Sequence, residues 1–323
     1  MEKYYIKKIS GNFCKIFLIF AGVLFLSTVN GYTQIRESFT QRSSQFSPEK
    51  KIYSINGDFT MIGNTNLTLQ NYSDSRENGF NTMVFVDKDD NNSTTNSSKS
   101  RLSFSNENNA DPSCSKIVYA GLYWTGRTNS SVSTNTKRSV RLKRPGAGYQ
   151  TVTANASDIQ YPGDNNMYAA YAEVTEMVRQ GGTGDYWVAD IALTAGDGGA
   201  TGYFGGWGMV VIYENAQMNP RDITVFDGYA YVRGFTTTNF ELPISGFNTA
   251  QSGDINMKIG LMAGEGDRAI NGDYFEIKKR SDNSWMRLSH EKNSADNFFN
   301  SSIQLENNGN RDPNLLNNTG LDI

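Results

Sequence analysis

The sequence predicts an all-β protein, a jelly-roll-like antiparallel β-sandwich with one short helical turn. From Lys51 onward, short stretches rich in β-branched and aromatic residues are separated by clusters of Gly, Asn, Asp and Ser, the pattern of sandwiches and barrels. The 323-residue chain is 37% hydrophobic, so it can bury a core. The sequence shows no repeat of fixed period, which disfavours solenoids and propellers.

The predicted strands are short, and two of them carry a burial pattern. Residues 188–193 alternate, which assigns one side of the strand to the core and the other to solvent. Residues 209–213 form an apolar run bounded by glycine, which predicts a strand buried on both faces. The predicted strands are residues 59–62, 67–70, 82–86, 102–104, 117–124, 139–143, 150–154, 168–174, 186–193, 208–213, 222–226, 255–262 and 274–278.

The remaining segments predict one helical turn and two loops. The turn covers residues 175–179, with Thr175 as its cap, Glu176 near the positive end of the helix dipole and a glycine pair after it. Residues 87–100 and 307–318 are too polar for a core, so we expect both to be exposed loops.

The amino terminus predicts export. Residues 1–31 have lysines, then an apolar run of about 11 residues, then small residues, which is typical of a secretory signal peptide. The run is shorter than the roughly 20 residues that span a bilayer, so cleavage near Gly31 is favoured over an uncleaved anchor. Residues 32–50 are expected to be a polar linker or arm, and residues 51–323 the β-sandwich domain. We expect a secreted chain that does not span the membrane after signal removal.

Composition excludes several classes of function. The net charge is -3 and cations are not clustered, which argues against nucleic acid as a partner. One histidine and the lack of a nucleophile motif argue against an enzyme. Cys114 is the only cysteine after the signal peptide, so no intramolecular disulfide is expected, and we expect Cys114 to be a small buried residue.

Several motifs carry a family resemblance: GDFTMIGNT (57–65), AGLYWT (120–125), GGWGMVVIYEN (205–215), ITVFDG (223–228), GEGDRAINGD (264–273) and NFFNS (297–301). Together they resemble the N-terminal domain of large secreted surface proteins of Bacteroidota. The resemblance implies an adhesin-like or gliding-motility-associated protein that the type IX secretion machinery exports. That family continues into immunoglobulin-like repeats and a sorting domain, which are not present before Ile323, so we expect the domain to be truncated at its C-terminus.

Two acidic segments are candidate Ca²⁺ sites. Asp87, Asp89 and Asn91 place oxygen ligands at alternate positions of a loop, although the spacing excludes an EF-hand. The alternative for this loop is a solvated polar turn, which we favour. Glu265, Asp267 and Asp273 form the second group.

The second acidic group also has two interpretations. Its carboxylates would bind Ca²⁺, or they would pair with the adjacent Arg268 in a buried network. We favour the network, because Arg268 competes with a cation for the same oxygens. At most one or two structural Ca²⁺ ions are expected.

Aromatic residues around a glycine-rich segment are candidates for sugar binding. Trp207 and Tyr203, with Phe204 nearby and Trp124 and Trp187 elsewhere, would form a stacking platform. Core packing is the more common fate of aromatics beside an apolar strand.

The expected function is binding or display at the cell surface, with an extracellular glycan or surface protein as the ligand. The alternatives are a secreted glycan-active enzyme and a non-binding structural cap of a repeat array.

Overall fold

A computed structural model of the chain describes most of residues 35–323. The described ranges are 35–45, 50–79, 82–161, 166–231, 241–249, 256–264, 266–279, 281–306 and 310–323. The predicted signal peptide and Glu265 lie outside them. Within these ranges, no helix combines the length and apolar character needed to cross a membrane.

The described residues are mostly β-strand. In chain order the strands are β1 (Ile35–Gln41), β2 (Tyr53–Thr65), β3 (Leu67–Leu69), β4 (Met83–Phe85), β5 (Ser97–Leu102), β6 (Lys116–Arg127), β7 (Ser139–Lys143), β8 (Tyr149–Thr153), β9 (Ile159–Gln160), β10 (Met167–Glu173), β11 (Gly184–Ala189), β12 (Gly205–Glu214), β13 (Pro220–Ile223), β14 (Phe226–Ala230), β15 (Ala263–Gly264), β16 (Glu276–Lys278), β17 (Trp285–Arg287), β18 (Arg311–Asp312) and β19 (Leu321–Asp322). The helices are Thr134–Lys137 and Thr175–Gly181, with 3₁₀ turns at Glu107–Asn109, Pro112–Cys114 and Gly199–Thr201.

Two antiparallel sheets form a sandwich with jelly-roll connections. The six-stranded sheet has the order β13-β2-β12-β6-β10-β9, and the five-stranded sheet has the order β18-β5-β11-β7-β8. Between β2 and β12, the main strands alternate between the sheets except at the β7–β8 hairpin. This order, β2-β12-β6-β10 against β5-β11-β7-β8, is that of two Greek keys in a jelly roll. The predicted all-β sandwich is confirmed.

The core lies between the sheets and centres on β12. In β12, Met209, Val211 and Tyr213 lie in this core and Ile212 lies in a separate buried cluster, whereas Val210 is partly exposed, so the expected burial of residues 209–213 is confirmed except at Val210. Strand β12 pairs with β2 on one side and β6 on the other. A Cβ at Gly206 would lie 2.5 Å from the Asn64 carbonyl oxygen, so only glycine fits this approach of β12 to β2.

Buried amide and hydroxyl groups lie beside the apolar core between the sheets. The Asn66 Nδ2 donates to Asn96 Oδ1 at 2.7 Å, and the Ser98 hydroxyl donates to Asn66 Oδ1 at 2.6 Å. Residues 97–100, predicted as part of an exposed loop, belong to strand β5 and are largely buried. That prediction was wrong because the Ser97 and Ser98 hydroxyls find acceptors in the folded protein, at Asp87 Oδ1 and Asn66 Oδ1.

The polar C-terminal segment is also inside the protein. Arg311 donates to Asn318 Oδ1 at 2.9 Å and to Asn64 Oδ1 at 3.2 Å, and all three side chains are buried. The prediction of an exposed loop over 307–318 is therefore wrong for residues 311–312 and 317–318, while 307–309 lie outside the described residues. Burial lowers the pKa of Arg311 to about 10.

The short helix differs from its prediction at one end. Its N-cap is Val174, and the Thr175 hydroxyl instead accepts a hydrogen bond from the Ala120 N–H at 3.0 Å. The other end confirms the prediction, because Gly182 caps the helix with a φ of 62°.

The segment predicted as a linker or arm contains a strand. Within residues 32–50, β1 pairs with β14. Arg42 then stacks on the Tyr171 ring at 4.1 Å and pairs with Asp227 at 2.6 Å and Asp158 at 3.0 Å. These contacts fasten the arm to the outside of the six-stranded sheet.

Three local predictions need correction. Strand β11 ends at Ala189, and Val188 and Ala189 are both buried, so the expected alternation over 188–193 is absent. The described part of 255–262 has no strand. Cys114 is exposed, since it ends a 3₁₀ turn at the surface.

Candidate ligand-binding face

The outer side of the five-stranded sheet carries a group of basic and aromatic side chains. In β7, Val140 and Leu142 point into the core, whereas Arg141 and Lys143 are partly exposed. In β5 and β11 the same alternation exposes the side chains that lie beside them. The cationic aromatic face is defined here as Lys99, Arg101, Arg141, Lys143, Tyr149 and Trp187.

Strand register sets four of these residues in one row. Trp187 lies opposite Lys99 on one neighbouring strand and opposite Lys143 on the other. Lys143 in turn lies opposite Tyr149. Three interstrand spacings separate the ends of the row, which gives a length of about 14 Å.

The ammonium groups of the row bracket its aromatic rings. The Lys99 and Lys143 Nζ atoms lie 5.5 and 5.7 Å from the centre of the Trp187 ring. Lys143 Nζ is also 5.8 Å from the Tyr149 ring, and the Arg141 guanidinium lies 4.9 Å from that ring. These are cation–π distances, so the basic groups are held beside the rings while part of each side chain stays in water.

Carboxylates neutralise only part of this positive charge. Asp185 pairs with Lys99 at 3.0 Å and with Arg101 at 3.1 Å. Asp190 pairs with Arg141 at 3.4 Å. Lys143 forms no ion pair with any residue in the described ranges.

A loop and a depression border the face near Arg141. The Arg141 guanidinium donates to the Ser93 carbonyl oxygen at 3.0 Å, which ties the loop before β5 to the sheet. A shallow, open depression of about 480 Å³ begins there. Its lining residues are Asn135, Thr136, Ser139, Val140, Arg141, Thr151 and Asp190.

The first candidate Ca²⁺ loop forms part of this border. Asp87 Oδ1 accepts from the Ser97 hydroxyl at 2.7 Å, and Asp89 Oδ1 accepts from the Asn91 N–H at 3.1 Å and the Thr94 hydroxyl at 3.0 Å. These bonds to Asp87 Oδ1 and Asp89 Oδ1 are those of an Asx-rich turn, which supports the polar-turn alternative, although Asp89 Oδ2 is buried without a hydrogen-bond partner in the described ranges.

Asp89 also influences the cationic aromatic face. Burial, followed by the neighbouring Asp89 carboxylate, raises the pKa of Tyr149 well above its ordinary value. The Tyr149 hydroxyl therefore stays neutral and lies beside the loop that carries Asp89.

The second acidic group does not form the expected arginine network. Asp273 Oδ1 accepts from the Phe299 N–H at 2.7 Å, and Arg268 makes no ion pair with Asp267 or Asp273. Burial, with a smaller effect of Glu77, raises the pKa of Asp267 to about 6. Among the residues that the structure describes, no three His, Cys, Asp or Glu side chains are grouped to hold a metal ion.

One buried carboxylate was not predicted. Asp322 Oδ1 accepts from the Asn300 N–H at 3.0 Å and the Ser302 N–H at 2.9 Å. Burial raises the pKa of Asp322 to about 7, and Asp273 adds to the shift. A single Asp next to the last residue of the sequence gives no signal of this environment.

The aromatic pair predicted for sugar stacking is not an exposed platform. Trp207 is 0% exposed and donates from Nε1 to the Ser98 hydroxyl at 2.8 Å, so it is a core residue. Tyr203 is partly buried under Arg127, whose guanidinium lies 5.4 Å from its ring. Trp124 is also fully buried, which leaves Trp187 as the platform candidate that faces outward.

Part of the cationic aromatic face is predictable from the sequence of the predicted strand 139–143. There, Arg141 and Lys143 alternate with Val140 and Leu142, which places two cations on a solvent side. No such signal exists for Lys99 and Arg101, because the residues that alternate with them include the polar Ser98 and Ser100.

Comparisons of the chain with protein-family models, with curated proteins and with solved structures gave no match.

Proposed function

We propose that the chain is an extracellular adhesin-like binding module and that its ligand is a glycan held on the cationic aromatic face. The observation that carries this proposal is the position of Trp187 and Tyr149 in one row of an open sheet surface. The rings of tryptophan and tyrosine offer a flat apolar surface with a polar edge, which suits the C–H face of a sugar ring.

The form of the face favours binding over catalysis. Regular strands carry all six of its side chains, and sites on strands are held more precisely than sites on loops. The adjoining depression is shallow and open, which suits a long polymer better than a small enclosed substrate.

The cellular setting of this function is proposed from the sequence. The signal-peptide pattern supports secretion, and the six motifs that resemble Bacteroidota surface proteins support display at the cell surface through type IX export. A role in gliding motility rests on the same resemblance.

A glycan array with matched variants tests the proposal. Trp187→Ala removes the platform, while Trp285→Ala removes an exposed tryptophan from the β16–β17 hairpin and serves as the control. We expect wild type and Trp285→Ala to bind the same glycans and Trp187→Ala to lose them while its melting temperature stays within a few degrees.

Three other results would reject the proposal. Retained binding by Trp187→Ala would place the site elsewhere. Release of reducing sugar from a bound glycan would support the enzyme alternative. If the array shows no binding and no reducing sugar is released, the structural cap is supported.

A further inference from the structure

The charges beside Trp187 indicate which glycans the face accepts. Lys99 and Lys143 lie on the two strands that flank β11, and each ammonium group is within 6 Å of the Trp187 ring centre. A sugar that contacts Trp187 therefore comes within reach of two positive charges. Of these two, Lys143 lacks an ion pair within the described ranges and is free to bind an anion.

We infer that the cationic aromatic face binds acidic polysaccharides, whose sugar rings carry carboxylate groups. The inference rests on the proposed function and adds the chemical class of the ligand. Asp185 and Asp190 pair with three of the four cations of the face, Lys99, Arg101 and Arg141. Asp312 lies opposite Lys99 and Asp89 beside Tyr149, at the two ends of the row, so Lys143 within the row is the cation without a carboxylate partner in the described ranges. An acidic polymer supplies the missing negative charge, and its ring faces cover the aromatic groups.

The same observations disfavour other anionic polymers. The whole chain carries a net charge of -3, and Asp89 lies beside Tyr149 at the border of the face. Nucleic acids are bound through denser groups of cations, because each phosphate is charged. A polysaccharide with one carboxylate per sugar is better matched to cations that alternate with aromatic rings.

Polygalacturonate and its fully methyl-esterified form are the probes. They share one backbone, and the ester removes the charge. We expect wild type to bind polygalacturonate more tightly than the ester, and we expect this preference to shrink as salt rises from about 50 to 500 mM, because added ions screen exposed charges.

Charge-removing variants locate the preference. Lys99→Gln/Lys143→Gln should weaken polygalacturonate binding about tenfold, at roughly 0.7 kcal/mol for each exposed contact, and weaken ester binding by less, so that the preference for the acidic polymer falls. Lys278→Gln/Lys279→Gln is the matched control, since Lys278 lies 5.5 Å from the exposed Trp285 ring. It should bind like wild type.

The outcomes separate this inference from the proposed function. Equal binding of both polymers, lost in Trp187→Ala, would overturn the preference for acidic glycans and leave glycan binding intact. A single-stranded DNA oligomer that binds as tightly as polygalacturonate would also overturn it. If wild type binds no glycan on the array and neither polymer, both proposals fail.

Discussion

Replacement of Asp322 by Asn should stabilise the protein at neutral and basic pH. Asp322 is 2% exposed, and its pKa is raised from 3.8 to about 7 by burial and by Asp273. An acid whose pKa is raised on folding keeps its full stabilising effect below the unfolded value, near pH 4, and loses it as the pH rises through the folded value, near pH 7. Ionisation of Asp322 therefore destabilises the fold over this window.

The size of the effect follows from the shift in pKa. Folding raises the pKa of Asp322 by about 3. At 1.36 kcal/mol for each pKa unit, ionisation of Asp322 lowers the free energy of unfolding by about 4 kcal/mol at pH 8. This is a large part of the 5–15 kcal/mol by which a typical domain is stable.

Asparagine fits the site without a charge. Its Oδ1 can still accept from the Asn300 and Ser302 N–H groups. The other oxygen, Asp322 Oδ2, is buried and has no hydrogen-bond partner in the part of the chain that the structure describes. Asparagine keeps the two accepted bonds and removes the negative charge from this buried position.

Urea unfolding from pH 4 to pH 8 measures the effect. We expect the difference in unfolding free energy between Asp322→Asn and wild type to rise by about 4 kcal/mol across this range. The pH dependence contributed by Asp267, whose pKa is also raised, cancels in this difference, whereas Asp273 interacts with Asp322 and its titration is part of the measured effect. Asp282→Asn, at an exposed turn, is the control and should show no such rise.

Two results would refute this reasoning. A difference that does not change with pH would mean that ionisation of Asp322 does not destabilise the folded protein. A destabilised Asp322→Asn, combined with a wild-type melting temperature that rises with Ca²⁺ and falls with EDTA, would mean that a cation neutralises the carboxylate and would revive the Ca²⁺ hypothesis.

Three further predictions concern side chains whose surroundings only the structure reveals. Trp207→Ala should lower the unfolding free energy by about 3–5 kcal/mol, because it leaves a large cavity and removes the bond to Ser98; a small loss in urea unfolding would contradict a core position. Cys114 should react with Ellman's reagent in the folded protein, with Cys114→Ser as the blank, and reaction only after unfolding would show that it is buried. Arg311→Met should cost about 3 kcal/mol in the same urea assay, since buried amide oxygens lose their donor, whereas Arg287→Met at the surface should cost little. Equal losses in these two variants would argue against the buried role of Arg311.

Strand positions were largely predictable, because β-branched and aromatic runs between turn residues report a local preference. Residues 139–143 match β7, and the apolar run 209–213 lies within buried β12. The polar parts of the core were not predictable in this way. Ser97 to Ser100 have the composition of a loop, and only the pairing of β5 with β11 and the network around Asn66 make their burial favourable.

The candidate site shows the same limit. Tyr186 and Trp187 are adjacent aromatics on one strand, so composition does not tell which of them points outward. Trp207 was a candidate for sugar stacking with core packing as the favoured alternative, and the glycines beside it let β2 and β6 approach β12, where Trp207 is buried. Lys99 and Lys143 are 44 positions apart, and only the sheet order places them on either side of Trp187.

The most direct test of the proposed binding face is ¹⁹F NMR of protein labelled with 5-fluorotryptophan during a titration with polygalacturonate oligosaccharides. The chain has four tryptophans, of which Trp124 and Trp207 are fully buried, and single Trp→Phe variants assign the four signals. We predict that the Trp187 signal shifts and saturates while the exposed Trp285 signal stays in place. A shift of Trp285 alone, or four unchanged signals, would contradict a glycan site on the cationic aromatic face.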